Sequence, residues 1–493
     1  PQTLAMLNAA GAGVFVSVSA GNSGPTAATV GTPAPWVASI AASTYDGVSV
    51  VNALEITSRD PQEALAFTEG AITAPLAVTG EKTGALVIAE PLNGCFVNGS
   101  SAALDNAEAI DGKIAFIQRG SCNFTEKVER AQLAGATAVV IYTTAGNPVT
   151  ALGGDGSYDI PGGMIGYDDG EALYTAINGG EVVEVKISAG SFMEQTEVGN
   201  LIASFSSRGP NGSTGDVIKP DITAPGVRIL AATSDTIFQG VQGETNAYLS
   251  GTSMSSPHIA GMAALLKQEH PNWTPAQIKS ALMTTARQNL TKQEDDGVAA
   301  DPFDFGAGHA VPATARAPGL TYNATYDDYL GFLCGLGEDE TVLDESTLTC
   351  EQVAASISTD PSQLNYPSIA IGELDGTETI YRSVTDVSGI DSAYTYAVES
   401  PAGIDVTVAL LDSDGGTSLD VAANGTASYS VTFDVTEATV FNEWAFGAIT
   451  FTGEDGTEVR SPIAVFPVPE ISINVPESIS ATLNRGRTTF PVE

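Results

Sequence analysis

The sequence has 493 residues, and its 59 acidic side chains outnumber 19 basic ones to give a formal net charge of −40 at pH 7. At roughly 150 residues per domain, this length predicts about three domains and excludes a single small module. The negative charge excludes a nucleic-acid binder, because it repels polyanions. Three histidines and four cysteines offer little material for a metal site. No apolar run reaches the roughly 18 residues that a membrane span requires.

The beginning of the chain alternates helical and strand patterns, as α/β folds do. Leu4 and Leu7 have helical spacing, and the β-branched and aromatic run at residues 14–18 predicts a buried strand. A glycine-containing loop at residues 19–25 follows, and its glycines let backbone approach a ligand closely. Residues 36–44 predict the next strand.

The pattern changes between about residues 73 and 188. Residues 113–117 and 138–142 are strand-like, and apolar side chains at helical spacing lie between them. This order predicts a strand–helix–strand unit. Because the earlier α/β pattern resumes at Leu201, we interpret the unit as an insertion.

Residues 366–468 alternate apolar and polar side chains with a period of two, most clearly at 404–410 and 429–435. Several such runs predict an antiparallel β-sandwich. The alternation is interrupted near Gly447, which predicts a β-bulge. Residues 469–493 predict the start of a further β module.

A serine at the start of an apolar helix is the sharpest sign of chemistry. Residues 251–258 read GTSMSSPH, and Pro257 is tolerated only near the first turn, which places the helix start close to Ser253. The free N–H groups and positive dipole end of such a helix favour negative charge beside the Ser253 hydroxyl. Taken alone, the segment fits an ordinary serine N-cap equally well.

Residues 251–261 (GTSMSSPHIAG) resemble the nucleophile segment of the subtilisin-type serine peptidases, the subtilases. Further blocks resemble the family in the same order: 17–25 (SVSAGNSGP), 204–210 (SFSSRGP), 219–226 (KPDITAPG), 305–322 (FGAGHAVPATARAPGLTY) and 364–368 (LNYPS). The last two resemble the multidomain, plant-like and bacterial secreted branch. In that branch a protease-associated (PA) domain interrupts the catalytic domain, and a fibronectin-III-like domain follows it.

The resemblance implies an α/β fold, with a subtilisin-like core whose parallel sheet is incomplete at the N-terminus. It further implies an inserted α+β PA domain and a C-terminal all-β fibronectin-III-like sandwich. The expected boundaries are 1–55 and 198–315 for the two parts of the catalytic domain, 73–188 for the PA domain, 316–365 for a connector, 366–468 for the sandwich and 469–493 for the further β module.

Matched by motif, Ser253 is the expected nucleophile and Asn22 the side-chain donor of the oxyanion hole. The Ser253 backbone N–H and the Asn22 amide would together hold the oxyanion of a tetrahedral intermediate. Thr252 is expected to support the same hole. The match also gives one wall of the substrate pocket, formed by Ser19, Ala20 and Gly21.

The family's general-base histidine and orienting aspartate match no position in this sequence. Both belong to segments upstream of the equivalent of Pro1, so we interpret the chain as an N-terminally truncated fragment. The chain's own histidines, His258, His270 and His309, match family positions that are not catalytic. Because a serine without its base loses most of its activation, we expect this fragment alone to be inactive.

Four cysteines permit three pairings. In the domain plan implied by the resemblance, Cys95 and Cys122 fall inside the PA insertion. Cys334 and Cys350 fall inside the connector, so we expect two disulfides and export to an oxidising compartment. Acid-rich loops such as residues 155–159 could hold calcium, although carboxylate clusters are usually solvated surface. We therefore predict no metal and no cofactor, with structural calcium as the alternative.

We interpret the parent protein as a secreted serine endopeptidase that cleaves protein or peptide substrates by a Ser-His-Asp mechanism. The alternative is a non-catalytic binding or adhesion protein built on the same modules. A PA-containing zinc aminopeptidase is disfavoured by the shortage of histidine ligands. We expect no nucleic-acid partner and no membrane span, and the sequence assigns no oligomeric state.

Overall fold

The computed structural model describes residues 2–96, 102–145, 147, 149–154, 156–232, 246–295, 297–337, 349–412 and 416–469. The further β module expected after residue 469 lies outside these residues, as does Asp155 of the acid-rich loop. The chain divides into two compact units. The first comprises Pro1–Gly212 and Lys219–Arg316, and the second comprises Ser213–Ile218 and Ala317–Glu493.

Within the described residues, the α-helices are α1 (Gln2–Gly11), α2 (Leu76–Thr79), α3 (Ala107–Ile110), α4 (Phe124–Leu133), α5 (Tyr167–Asn178), α6 (Thr252–Glu269), α7 (Pro275–Thr284), α8 (Pro302–Phe305), α9 (Pro312–Ala315), α10 (Tyr326–Gly335) and α11 (Cys350–Ala354). The strands are β1 (Ser17–Ser19), β2 (Ala38–Ser43), β3 (Gly47–Ile56), β4 (Glu63–Glu69), β5 (Lys82–Ile88), β6 (Ile114–Gln118), β7 (Ala138–Tyr142), β8 (Gly162–Ile165), β9 (Glu184–Glu197), β10 (Leu201–Ile202), β11 (Ile222–Pro225), β12 (Ile229–Ala232), β13 (Asn246–Leu249), β14 (Thr291–Lys292), β15 (Leu320–Thr321), β16 (Ile369–Asp375), β17 (Thr377–Asp386), β18 (Ser392–Glu399), β19 (Ile404–Leu410), β20 (Leu419–Val421), β21 (Thr426–Val435), β22 (Ala445–Gly453) and β23 (Glu458–Val468).

A five-stranded sheet organises the α/β core of the first unit. Its path runs β1-β2-β10-β14, and β11 also pairs with β2. The pairs β1–β2 and β2–β11 are parallel, whereas β10 meets β2 in an antiparallel contact. Every residue of β2 is buried, and α6 packs against β1, β2 and β11. This packing directs the N-terminus of α6 toward the loops at the carboxyl ends of the parallel strands.

The first strand is shorter than the apolar run predicted. It begins at Ser17, although the run begins at Val14. The end of α1 explains the difference, because the Val14 N–H donates to the Ala9 carbonyl and Gly13 adopts a φ of +90°. The N–H of Val14 therefore closes the helix instead of joining the sheet.

Seven strands between Gly47 and Glu197 form a closed barrel in the order β3-β4-β8-β7-β6-β5-β9. The predicted strand–helix–strand unit is present as β6, α4 and β7, with the two strands parallel. Apolar side chains bury one core among the strands and a second core beneath α3 and α4. Strands β3 and β4 precede residue 73, so the barrel is longer in sequence than the insertion that the composition indicated.

The second unit contains a sandwich of two sheets, ordered β15-β17-β21-β19 and β16-β23-β22-β18-β20. Its core includes the fully buried Tyr429, Phe433 and Phe451. The predicted antiparallel pairing is confirmed for the other strand pairs of the described sandwich, but it was wrong for β16 and β23, which are parallel. The alternation that we used reports which face of a strand is buried, and parallel and antiparallel neighbours share it.

The predicted bulge at Gly447 was also wrong. Strands β22 and β23 pair without a register shift through this position, and the shift in this sheet lies between Ile371 and Leu374 of β16. Gly447 instead accommodates a close approach of backbone. A Cβ at this position would lie 2.2 Å from the Glu399 carbonyl oxygen and 2.8 Å from Cδ of Pro401. The gap in the apolar pattern therefore marks a steric requirement.

We expect Gly447→Ala to lower the free energy of unfolding of the second unit by about 1–3 kcal/mol, because its methyl group must push a neighbouring strand away. Gly212→Ala, in the first unit, is the control for the substitution itself: a Cβ there meets nothing within 4 Å, so it should leave the unfolding of the second unit unchanged. Urea unfolding of both variants measures the difference. Equal stability of the two variants would contradict the steric explanation.

Candidate active site

The N-terminus of α6 presents the serine singled out from the sequence. Gly251 is the N-cap and donates its N–H to the Gly226 carbonyl at 2.8 Å. Thr252 is fully buried, whereas Ser253 is exposed. Gly226 and the first turn of α6 lie very close together, since a Cβ on Gly226 would be only 2.1 Å from Oγ of Ser255. The glycine of the APG turn therefore allows the start of the helix to sit against it.

Asn22 follows β1, and its side chain is fixed by two hydrogen bonds. Its Oδ1 accepts the backbone N–H of Thr252 at 2.9 Å and the Thr252 hydroxyl at 2.8 Å. A backbone N–H can only donate, so the oxygen of the amide must face Thr252. The NH₂ group of Asn22 is consequently turned away from Thr252.

The two predicted oxyanion donors border one space beside Gly251. The position that a Cβ would occupy on this glycine lies 3.5 Å from Nδ2 of Asn22 and 3.7 Å from the backbone nitrogen of Ser253. The nitrogen of Ser253 belongs to the first turn of α6, whose N–H groups lack partners within the helix. The fold thus brings together donors that are 231 positions apart in the numbering of the chain.

The loop that carries the amide donor is bonded along its length to the SFSSRGP segment. The Ser207 N–H donates to the Gly21 carbonyl at 2.9 Å, and the Ser23 N–H donates to Oγ of Ser207 at 3.2 Å. The Gly24 N–H donates to the Phe205 carbonyl at 2.9 Å. These three bonds hold the loop against the SFSSRGP segment.

The predicted pocket wall of Ser19, Ala20 and Gly21 lies at the end of β1. Ala20 is fully buried, its N–H donates to the Ile40 carbonyl, and its own carbonyl accepts the Gly31 N–H, both at 2.9 Å. The Gly21 N–H lies 3.3 Å from Oγ1 of Thr252. The wall is therefore hydrogen-bonded to β2 and to the start of α6, and its contact with substrate stays a prediction.

Each of the three histidines has a contact of its own. Nδ1 of His258 lies 2.8 Å from the carbonyl oxygen of Met254, one turn back along α6. The His270 ring stacks on Trp273 with ring centroids 3.8 Å apart. Nδ1 of His309 lies 3.1 Å from the Ala310 carbonyl oxygen, and burial lowers the pKa of this imidazole.

Arg208 is an element of the site region that sequence reasoning missed. It is 3% exposed, and its guanidinium donates to the carbonyl oxygens of Ser206 and Ala203 at 2.9 and 3.2 Å. It also forms ion pairs with Asp304 and, at 2.8 Å, with Glu294. Because these acceptors lie in three segments, the arginine fixes the shape of the segment that is hydrogen-bonded to the Asn22 loop. The sequence signal that could have identified Arg208 is an arginine surrounded by small residues in a chain with few basic residues.

The KPD sequence supplies a buried ion pair beneath β2. Nζ of Lys219 lies 2.6 Å from Oδ2 of Asp221, with both side chains fully buried, and the same oxygen accepts the Ser39 N–H at 2.6 Å. Lys279 on α7 is buried nearby and donates to the Pro35 carbonyl. Burial and the neighbouring ammonium of Lys219 lower the pKa of Lys279 to about 7, although the carboxylate of Asp221 opposes this change.

The structure contains both expected disulfides, Cys95–Cys122 in the barrel and Cys334–Cys350 in the second unit. Across the described ranges, the group of three side chains with metal-binding geometry is Cys95, Cys122 and Glu126. Its two sulfur atoms are bonded to each other, so we assign no metal to it. None of the helices in the described part of the chain has the length and apolar character of a membrane span.

Comparison with protein families finds a match over residues 2–308 to a model described as the subtilase family. Residues 363–465 match a fibronectin type-III domain. Among curated proteins, subtilisin-like protease SBT5.4 of Arabidopsis thaliana is 35% identical over 416 residues, which cover 80% of this chain and 51% of the relative. Subtilisin-like protease SBT1.6 of the same plant is 32% identical over 496 residues, covering 94% and 61%. The chain spans about half to three-fifths of the length of these relatives.

Solved structures show weaker likenesses. A psychrophilic subtilisin-like protease from Pseudoalteromonas sp. AS-11 has a TM-score of 0.29 and 18% identity, covering 64% of this chain and 66% of that one. A zinc aminopeptidase from Bacillus subtilis has a TM-score of 0.21 and 21% identity, covering 34% and 33%. At these TM-scores neither likeness carries an argument about this chain.

The buried Lys279 predicts a pH-dependent stability. Its pKa is about 7 in the folded protein and about 10.4 in an unfolded chain, so the unfolded chain binds more protons between these values. The free energy of unfolding should therefore rise with pH between about 7 and 10. In Lys279→Met this rise should be smaller by up to about 1.4 kcal/mol per pH unit.

Urea unfolding at pH 7, 8 and 9 measures that slope. Lys267→Met, which removes an exposed lysine of α6, is the matched control and should keep the slope of the unmodified chain. Identical slopes for Lys279→Met and the unmodified chain would show that Lys279 is protonated in both states throughout this range.

Proposed function

The chain belongs to the subtilase family, and from this premise we propose that it carries the nucleophile and oxyanion hole of a secreted serine endopeptidase. Ser253 is the proposed nucleophile, and the substrates are the peptide bonds of proteins. The observation that carries this proposal is the pair of hydrogen bonds from Thr252 to Oδ1 of Asn22. They turn the NH₂ group of Asn22 toward the space that it shares with the Ser253 N–H.

This arrangement suits the chemistry of acyl transfer. Attack of Oγ of Ser253 on a peptide carbonyl places a negative charge on the carbonyl oxygen. The Ser253 N–H and the Asn22 amide can donate to that oxygen in the transition state, and both are already oriented before substrate arrives. Thr252 acts through Asn22, since its two donors restrict the amide to one orientation.

A complete mechanism also requires a base for the Ser253 hydroxyl. The three histidines of the sequence have the separate contacts described above, and none is a proposed base. We assign the base and its carboxylate partner to a histidine and an aspartate outside this sequence. On this assignment the chain supplies the two oxyanion-hole donors and the attacking hydroxyl of Ser253.

The domains outside the catalytic core and their disulfides favour the proposal of an extracellular protease. We assign the seven-stranded barrel as a PA domain inserted into the catalytic domain, and the two disulfides favour an oxidising compartment. The proposed enzyme needs no cofactor, because the serine, an imidazole and the oxyanion hole suffice for peptide hydrolysis.

We expect the chain from Pro1 to Glu493 to show no appreciable turnover of casein. The same chain joined to an upstream subtilase segment that contains the histidine and aspartate should be active, because Ser253 then has a base. Ser253→Ala in the joined protein is the control for turnover at this serine. Turnover by the isolated chain that Ser253→Ala abolishes would reveal a base within this sequence. An inactive joined protein would favour the non-catalytic alternative.

In the joined protein, Asn22→Ala should lower kcat by about two orders of magnitude and leave KM nearly unchanged, since the amide acts on charge present in the transition state. This magnitude is the one known for the corresponding donor of subtilisin itself and is taken over from that enzyme. Ser207→Ala should lower kcat about tenfold, because it removes the acceptor of the Ser23 N–H. Steady-state kinetics measures both effects.

The double variant Asn22→Ala/Ser207→Ala separates positioning from general destabilisation. If Ser207 acts through Asn22, the double variant should be no slower than Asn22→Ala alone. Additive losses would make Ser207 a structural residue, and an unchanged kcat in Asn22→Ala would remove the amide from the oxyanion hole.

A further inference from the structure

The disulfide Cys95–Cys122 borders an open cavity of about 430 Å³ in the barrel unit. The cavity lies where β6 ends and α4 begins, and it is lined by Arg119, Gly120, Cys122, Asn123, Phe124, Thr125, Gly153 and Gly154. Cys122 is half-buried. A small molecule in this cavity would therefore contact Cys122.

The other sulfur lies against a buried cation. Lys127 is 0% exposed, and its Nζ donates to the carbonyl oxygens of Asn93 and, at 2.8 Å, Gly120. Sγ of Cys95 lies 3.5 Å from the same Nζ. An ammonium has three N–H bonds, and these three acceptors account for all of them. A thiolate at Cys95 would be a far stronger acceptor than the disulfide sulfur for the third N–H.

Other charges surround the two sulfurs. The carboxylate of Glu126 lies within 4.8 Å of both and opposes a thiolate, but it already accepts the Phe96 N–H. Arg130 is buried, donates to the Cys95 carbonyl and pairs with Asp105 at 2.8 Å. The guanidinium of Arg119 lies over the Phe124 ring, 5.6 Å from its centroid. The cation in direct contact with sulfur is Lys127, so its attraction should dominate.

We propose that Cys122 is a modification site for small thiols, which open the disulfide by exchange and leave Cys95 as a thiolate held by Lys127. The incoming thiol loses its proton to solvent and attacks Sγ of Cys122. A new S–S bond forms between the thiol and Cys122, the Cys122–Cys95 bond breaks, and its electron pair stays on Sγ of Cys95. No net oxidation occurs in this step.

The state of Lys127 supports the exchange. Burial lowers the pKa of this lysine to about 8, which leaves it mainly protonated at pH 7. A thiolate beside an ammonium has a lower pKa than a free cysteine, and a thiol of lower pKa leaves faster. The carbonyl oxygens of Asn93 and Gly120 also lie 3.5 Å from Sγ of Cys95 and could accept a neutral S–H. The pKa of Cys95 therefore decides between the thiolate and the neutral thiol. The proposal is independent of any peptidase activity.

The test uses the chain as it stands, with reduced glutathione as the probe. Peptide mapping by mass spectrometry at pH 7 should locate the first glutathione adduct on Cys122. In the exchanged protein, the pH dependence of alkylation should give Cys95 a pKa below the value of about 8.5 for a free cysteine, because the Lys127 ammonium favours the thiolate. Lys127→Met should slow the opening about tenfold and raise that pKa to 8.5 or above.

Two further variants sharpen the comparison. Lys127→Arg retains a cation and should keep the pKa of Cys95 below that of a free cysteine, whereas Lys113→Met removes an exposed lysine beside β6 and should change neither the opening rate nor this pKa. The Cys334–Cys350 disulfide is the internal reference, and its opening rate should stay constant. If both disulfides open rapidly in Lys127→Met, this variant has unfolded. The pKa of Cys95 and the position of the adduct in the unmodified chain then test the proposal. A Cys95 pKa of 8.5 or more, or an adduct on Cys95 instead of Cys122, would overturn the proposal.

Discussion

The geometry of the candidate active site depends on the hydrogen-bonded contact between Asn22 and Thr252. One amide oxygen accepts both the backbone N–H and the hydroxyl of a residue 230 positions away. This contact satisfies a donor at the start of α6, orients the amide, and ties the end of β1 to the helix. The loop after β1 is also held by hydrogen bonds to the segment around Ser207. Orientation of the donor is therefore a property of two packed loops and a helix end.

Buried cations that donate to backbone carbonyls recur throughout the described parts of the chain. Arg208 holds the carbonyl oxygens of Ser206 and Ala203, and Arg382 in the second unit holds those of Tyr381 and Ser362. Lys127 and Arg130 likewise each donate to two or more carbonyl oxygens, and Lys219 and Lys279 donate to the carbonyl oxygens of Val37 and Pro35. Irregular segments have carbonyl groups that no helix or sheet satisfies, and burying such a group without a partner is costly. A single guanidinium or ammonium satisfies two or three of them at once.

This use of basic residues gives the composition a structural meaning. With 19 lysines and arginines against 59 acidic residues, the surface is strongly negative, yet several of the few cations lie in the interior. Each buried cation needs its acceptors in place, because removing them would leave an unpaired charge in a medium of low polarity. These residues therefore specify the conformation of the loops around them. At Lys127 we propose that the same arrangement also stabilises a thiolate on Cys95 during thiol–disulfide exchange.

Local patterns in the sequence determined much of this protein. The spacing of apolar residues located α1, α4, α6 and the strands of the sandwich, because periodicity follows from which face of an element is buried. Motif order identified the family and placed Ser253 at a helix start. Side-chain alternation could not distinguish parallel from antiparallel neighbours. It also led to a wrong prediction of a bulge at Gly447, where glycine is required because the Glu399 carbonyl leaves no room for a Cβ.

Tertiary structure alone decided the features that depend on atoms distant in sequence. The orientation of the Asn22 amide depends on Thr252, and the pKa of Lys279 depends on its burial beneath β2 near Lys219. The contact of Lys127 with Cys95 depends on a helix packing across a disulfide loop. Sequence patterns encode the burial of a face, whereas hydrogen-bond partners and electrostatic fields are set by three-dimensional distances that no local pattern records.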